Sequence, residues 1–322
     1  MTADPVLLFA WLVLAHLVAD FVFQTDWMAT AKADDGARAV RALVVHATVV
    51  GLCLLPLPFA FGPAGLVALL LIAISHGVVD RVKARLTRRA ETAALARARE
   101  SGERAAPAAS LGTAWTPLPA FWFAVDQAVH VAITAAAVAT LLAPTAVAPE
   151  FARLVGALVG DRDPGAVHAT VLTAVVVLSL LIVNVRAGAL FVAVLVHPRE
   201  AVTGSDPVAR TTPAPPIGWT VTLGPLTGRA QPDAAPPQPP APASPAQVGL
   251  VIGVLERLLI VALVLAHAEA AIGLVVAAKT LARFRQLDDR AFAEYYLLGT
   301  LASVSVAIGS ALLAAAAFAS LG

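Results

Sequence analysis

His16, Asp20 and Gln24 lie four residues apart inside the first apolar run of the chain. At that spacing they form one polar stripe along an α-helix. An aspartate at the centre of a membrane helix costs roughly 2.5–3.5 kcal/mol to insert, so something must offset it. The pattern recurs: His76 and Asp80 stand at i and i+4 at the end of the third apolar run, Asp126 and His130 in reverse order in the fourth, and His46 alone in the second. A helix that offers two ligands to one metal ion uses this i, i+4 spacing. A divalent cation would neutralise two or three carboxylates and take the imidazoles as neutral ligands. The candidate metal ligands are therefore His16, Asp20, His46, His76, Asp80, Asp126 and His130, with zinc expected first and magnesium or manganese next.

Depth supports convergence. With boundaries near residues 25, 41, 81 and 118, Asp20, His46 and His76 lie roughly 7 Å inside the membrane and Asp126 about 12 Å. His16 and His130 lie deeper, at roughly 13 and 18 Å, and Asp80 sits at the interface. Two other readings stay open. The polar residues can be a purely structural hydrogen-bonded network, or a proton or ion pathway. His267 and Glu269, which interrupt a later apolar run, are second-rank candidates. His168 and His197 read as interfacial, and Glu256 and Arg257 as residues that pair or anchor at the interface. No glycine-rich phosphate loop, nucleophile elbow or Cys–His arrangement is present.

The elements that must position these groups are membrane helices. Of 322 residues, 59% are hydrophobic and 13% charged, about half the charged share of a soluble domain. A net charge of +1 implies no nucleic-acid partner, and the one cysteine, Cys53, offers neither a disulfide framework nor a thiolate site. The N-terminus lacks a basic signal region, so the first run reads as a retained span. We expect an all-α polytopic bundle of about seven spans, within a range of 6–8: 5–25, 39–57, 59–80, 118–143, 167–197, 248–280 and 291–320. Residues 56–63 read as a tight turn, and Ser305 with Gly309 as an ordinary small-residue packing pair. Arg81, Lys83, Arg85, Arg88, Arg89, Arg97, Arg99 and Arg104 crowd one loop; the positive-inside rule puts residues 81–116 in the cytoplasm and the N-terminus in the periplasm. This basic run reads as a topology determinant.

Twelve of the 23 prolines fall in 200–247, which reads as a flexible linker. The expected division is an N-terminal four-helix bundle over 1–143, a further long helix with its flanking loop over 144–199, the linker, and a C-terminal helical module over 248–322. The run 248–280 is too long for one span and is broken at His267 and Glu269, which suggests a hairpin or re-entrant pair.

Four stretches carry a family resemblance: HLVADFVFQTDWMATAK at 16–32, VVHATV at 44–49, SHGVVDRVK at 75–83 and VDQAVH at 125–130. They resemble a bacterial integral-membrane family called domain of unknown function 3307. The stretch ERLLIVALVLAHAEAAIGLVVAAKTLARF at 256–284 resembles a module attached to many of its members. The resemblance implies an inner-membrane protein and supplies no mechanism. A looser likeness, at the level of ligand pattern, is to membrane metal-dependent hydrolases and zinc phospholipase-like bundles.

These readings combine into one expectation: a metal-dependent hydrolase whose site opens toward the cytoplasm and whose substrate is a lipid headgroup or other amphiphile. Asp126 would accept a proton from a metal-bound water, and Gln24 and Gln127 would orient substrate or ligands. The alternative is a cation-binding permease or an accessory scaffold. A permease would show helix breaks or an inverted repeat near the site; Gly77 is the candidate break.

Overall fold

The computed structural model describes residues 3–105, 113–196, 199–200, 219–223, 226–230 and 245–320. Helix α1 (Pro5–Phe21) starts where Asp4 accepts hydrogen bonds from the Val6 and Leu7 N–H groups at 2.7 and 3.2 Å, with Pro5 at the first helical position. A short helix α2 (Asp26–Ala31), capped by Thr25, leads through a turn to α3 (Ala37–Cys53). Helix α4 (Pro56–Ala105) is 50 residues long and runs far past the apolar stretch. Next come α5 (Leu118–Ala137), which continues into a π-helical turn at Val138–Leu142, and α6 (Pro149–Val159). Helix α7 (Pro164–Ile182) joins α8 (Gly188–Val196) through a second π-helical turn, Val183–Ala187. Helices α9 (Pro245–Leu265), α10 (Ile272–Ala282) and α11 (Arg290–Ala319) complete the chain.

Among the described residues the protein is helical apart from two small antiparallel ladders. One pairs Thr113–Ala114 with Arg199–Glu200; the other pairs Trp219–Leu223 with Leu226–Ala230. The second ladder and the start of α9 fall inside the stretch expected to be linker, whose other residues lie outside those described. His197 also lies outside them.

Among the described residues, four helices are long and apolar enough to cross a membrane: Pro56–Glu100, Leu118–Leu142, Pro164–Val196 and Phe292–Ala319. Helix α1 is apolar but has only 17 residues, and α3 has 17. The expected count of about seven is not confirmed by this criterion. The turn expected at 56–63 is also different. Residues 56–61 are already helical, and the chain kinks at Gly62 (φ 54°), just before Pro63. A side chain at Gly65 would clash with the Leu57 carbonyl oxygen at 2.0 Å, so glycine is required where the two arms of the kink meet. Gly77, by contrast, lies within continuous helix.

Two apolar cores organise the molecule. The first joins Leu8, Leu12 and Ala19 of α1 to Val50 of α3, Ala68 and Ile72 of α4, and Ala137 at the end of α5. The second joins Leu172 and Val176 of α7 to Ile260 and Val264 of α9 and to Ala307, Ala311 and Ala314 of α11. The alanines on one face of α11 let α9 approach closely. Gly309, one of the expected packing pair, has no neighbouring atom within 4 Å of where a side chain would begin. The break expected in 248–280 is present. Helix α9 ends at Leu265, His267 takes a positive φ of 55°, and Lys279 on α10 returns to pair with Glu256 on α9 at 2.5 Å.

Candidate metal centre

The polar residues of the first bundle lie just beyond its apolar core. Each i, i+4 pair presents both members to the same interior: His16 and Asp20 from α1, His76 and Asp80 from α4, Asp126 and His130 from α5. His46 of α3 closes the fourth side and is completely buried, and the other six are each at most 8% exposed. These seven side chains form one cluster.

Its tightest part is a triangle. His46 Nε2 lies 2.9 Å from His76 Nε2, and both nitrogens lie 3.1 Å from Asp20 Oδ1. Ligands held about 2.0–2.1 Å from a zinc or magnesium ion stand roughly 2.9–3.4 Å apart in octahedral or tetrahedral geometry. The triangle therefore has the edge lengths of one face of a coordination sphere. Asp80 Oδ2 lies next to it, 3.6 Å from His46 Nε2 and 3.8 Å from His76 Nε2. Two further sets, His16 with His76 and His130, and Asp20 with Asp126 and His130, also place three ligand atoms within 4.8 Å of one another. The His76 and His130 rings stack at 4.0 Å, and Gln127 links three members of the cluster. Gln127 Oε1 lies 3.2 Å from His16 Nε2, and its amide donates to Asp126 at 3.1 Å and to Asp20 at 3.4 Å. His46 Nδ1, His130 Nδ1 and Asp126 Oδ1 are buried without a hydrogen-bond partner.

Two cations reach this cluster that the spacing of the apolar runs does not reveal. Lys32, 5% exposed in the turn after α2, donates to Asp80 Oδ2 and, at 2.6 Å, to Gln24 Oε1. Lys83, one turn beyond Asp80 on α4, reaches Asp80 Oδ1 at 3.1 Å and Asp126 Oδ2 at 2.8 Å. The apolar runs themselves hold no lysine or arginine beside these carboxylates, yet two lysines from outside the runs reach them. Three carboxylates face two ammonium groups, which leaves one net negative charge when the imidazoles are neutral. Burial pushes the Lys32 ammonium down from its ordinary value, and the neighbouring Asp80 carboxylate pulls against that. Gln24 contacts this lysine rather than the imidazoles. Only long, flexible stems let these amines reach inward from the boundary, which is why helical periodicity misses them.

The remaining sequence candidates lie elsewhere. His267 and Glu269 are exposed at the break between α9 and α10. His168 pairs with Asp4 at 2.9 Å. Arg257, expected at an interface, is instead 3% exposed in the second core. Its Nε donates to the Asn184 carbonyl at 2.7 Å and its Nη1 to Ser303 Oγ at 3.2 Å, while Nη2 has no partner. Asn184 belongs to the π-helical turn between α7 and α8, where the i→i−4 ladder is interrupted and carbonyls become free to accept from outside the helix. Sequence reading passes over this asparagine, and its only signal is its polarity inside an otherwise apolar run.

Residues 8–155 match the family described as "Protein of unknown function (DUF3307)". This part of the chain belongs to that family. The DUF3307 region holds all seven residues of the cluster together with Lys32 and Lys83, and it stops short of the second core and of the 256–284 stretch. Neither the comparison with curated proteins nor that with solved structures gave a match.

Proposed function

We propose that this protein is an integral protein of a bacterial inner membrane that binds one divalent cation through Asp20, His46 and His76 and uses it for hydrolysis. One observation carries the reading. Three ligand atoms from three different helices stand 2.9–3.1 Å apart in a fully enclosed position. Asp80 is the fourth ligand once Lys32 withdraws from it, and His16 and His130 complete a neighbouring set. When bound, the ion would lower the pKa of a coordinated water and polarise a phosphoryl or acyl oxygen. Asp126 then serves as proton acceptor through its unpartnered Oδ1, Lys83 holds its other oxygen, and Gln127 fixes the orientations of His16 and Asp20. An amphiphile with its headgroup at the membrane boundary is the substrate class.

For the topology we propose seven spans. Helices α1, α3 and α9 join the four longer helices, because 17–21 residues extend about 26–32 Å, close to the hydrocarbon thickness. The basic arm of α4 then lies in the cytoplasm and the N-terminus in the periplasm.

Lys32 and Lys83 favour a second reading, in which the cluster is a metal-free polar network, because they already offset most of the carboxylate charge. Elemental analysis of the purified full-length protein separates the two. The metal reading expects one divalent ion per chain, lost in both Asp20→Asn and His76→Ala, and retained better in Asp126→Asn. Wild-type protein without stoichiometric metal, together with an Asp20→Asn variant more heat-stable than wild type, would leave only the network.

A further inference from the structure

Beside the cluster, and separated from it by the turn that carries Lys32, is an open cavity of about 540 Å³. Four arginines of α4 line it, Arg81, Arg85, Arg88 and Arg89, and Ala33 and Asp35 of the α2–α3 turn form the opposite wall. Two of these arginines are committed to the wall. Arg81 Nη1 donates to the Lys32 and Asp34 carbonyls at 3.2 and 3.0 Å, and Arg88 donates to Asp35 Oδ2 at 2.6 Å. The only carboxylate lining the cavity is thereby occupied. Arg85 and Arg89 are exposed and have no hydrogen-bond or ion-pair partner among the described residues.

The same face of α4 continues upward as an apolar stripe. Ile74, Val78 and Val82 are 64%, 58% and 50% exposed. At 100° per residue, positions 74, 78, 82, 85 and 89 fall within an arc of about 80°. The helix thus turns from lipid-facing aliphatic residues to two free guanidinium groups along one line, at the level where the apolar stretch ends. A guanidinium fork suits a phosphate oxygen pair better than an ammonium does.

We propose that this cavity binds the phosphate of an anionic phospholipid, with Arg85 and Arg89 as its ligands and the acyl chains lying along Ile74, Val78 and Val82. A free phosphate ion would have no use for the apolar stripe. A zwitterionic headgroup would bring its own cation against four arginines. The proposal does not depend on a metal at the neighbouring cluster.

The test is native mass spectrometry of the full-length protein from neutral detergent, supplied with equimolar phosphatidylglycerol and phosphatidylcholine. One phosphatidylglycerol is expected to be retained in preference to phosphatidylcholine. The double variant Arg85→Ala/Arg89→Ala should lower that retention roughly tenfold or more, since each basic residue near a membrane surface contributes about 1 kcal/mol. Both side chains are exposed and unpartnered, so an unchanged melting temperature is expected and verifies folding. A charge-matched control, Arg153→Ala/Arg162→Ala on and after α6, should leave retention unchanged. Equal retention by the double variant and wild type would overturn the proposal, as would equal retention of the two lipids. Displacement of the lipid by millimolar inorganic phosphate would also overturn it and make the cavity a free-anion site.

Discussion

The two halves of the molecule bury charge by opposite means. In the first bundle three carboxylates are met by two ammonium groups and a shell of imidazoles. In the second core the Arg257 guanidinium makes its hydrogen bonds to dipoles: the Asn184 carbonyl, freed by a π-helical turn, and the Ser303 hydroxyl. Charge against charge makes each partner depend on the others, because deleting one strands a buried ion. Charge against dipoles leaves only neutral groups behind when the ion goes. The first arrangement is an interdependent network, and the second is a replaceable prop.

The largest expected effect tests that contrast directly. Asp80→Asn removes the carboxylate shared by Lys32 and Lys83 and should destabilise the protein by roughly 3–5 kcal/mol, read as a large fall in the thermal midpoint. Adding Lys32→Met should restore part of the loss, so the two changes combine to less than their sum. Strict additivity would mean that the network is not coupled.

Arg257→Met should have a smaller effect. It leaves the Asn184 carbonyl and Ser303 hydroxyl unpaired, at about 1–3 kcal/mol for a stranded buried group, but relieves the unmet Nη2 and the buried charge. A net change within about 1–2 kcal/mol is expected from chemical denaturation in detergent. A loss as large as that of Asp80→Asn would break the comparison.

The smallest effect falls at the seam between the halves. Asp4 caps α1 and pairs with His168 of α7. Burial pushes its carboxyl up, but the Leu7 and Val6 N–H groups and His168 together outweigh that and hold it below the ordinary carboxylate value. A lowered pKa means that this stabilisation is complete above the ordinary carboxylate range and fades as pH falls toward the folded value. Asp4→Ala should cost about 1 kcal/mol at neutral pH, and the difference from wild type should shrink in acid titration of the melting temperature. A difference that grows on acidification would reverse the sign and remove the cap from the account.

The contrast between the halves also explains what could be read in the sequence. The convergence of His16, Asp20, His46, His76, Asp80, Asp126 and His130 was legible, because i, i+4 pairs on apolar helices must face inward together. The helical fold class was legible from composition, and so was the break at His267. Lys32 and Lys83 were not, because their backbones lie outside the apolar runs and only the tertiary reach of their stems brings them in. Arg257 was misjudged for the converse reason. A π-helical turn leaves no mark on hydrophobic periodicity, so the carbonyl that receives the guanidinium is invisible until the backbone is known. The reversal near Gly62 was misplaced because prolines at 56, 58 and 63 read as turn residues, although helix tolerates Pro in its first turn.

From Pro63 to Ala105 helix α4 runs without interruption, so its basic arm and the segment carrying His76 and Asp80 are one stiff rod. From Asp80 to Ala105 the rod extends about 37 Å. The pivot is the glycine–proline joint at the far end, about 63 Å from the tip, so displacing the tip by about 5 Å swings the rod through roughly 5°. Any such swing would also move His76 and Asp80, which His46, Asp20, Lys32 and Lys83 hold in place. Stiffness alone therefore couples the position of the arm to the geometry of the buried cluster.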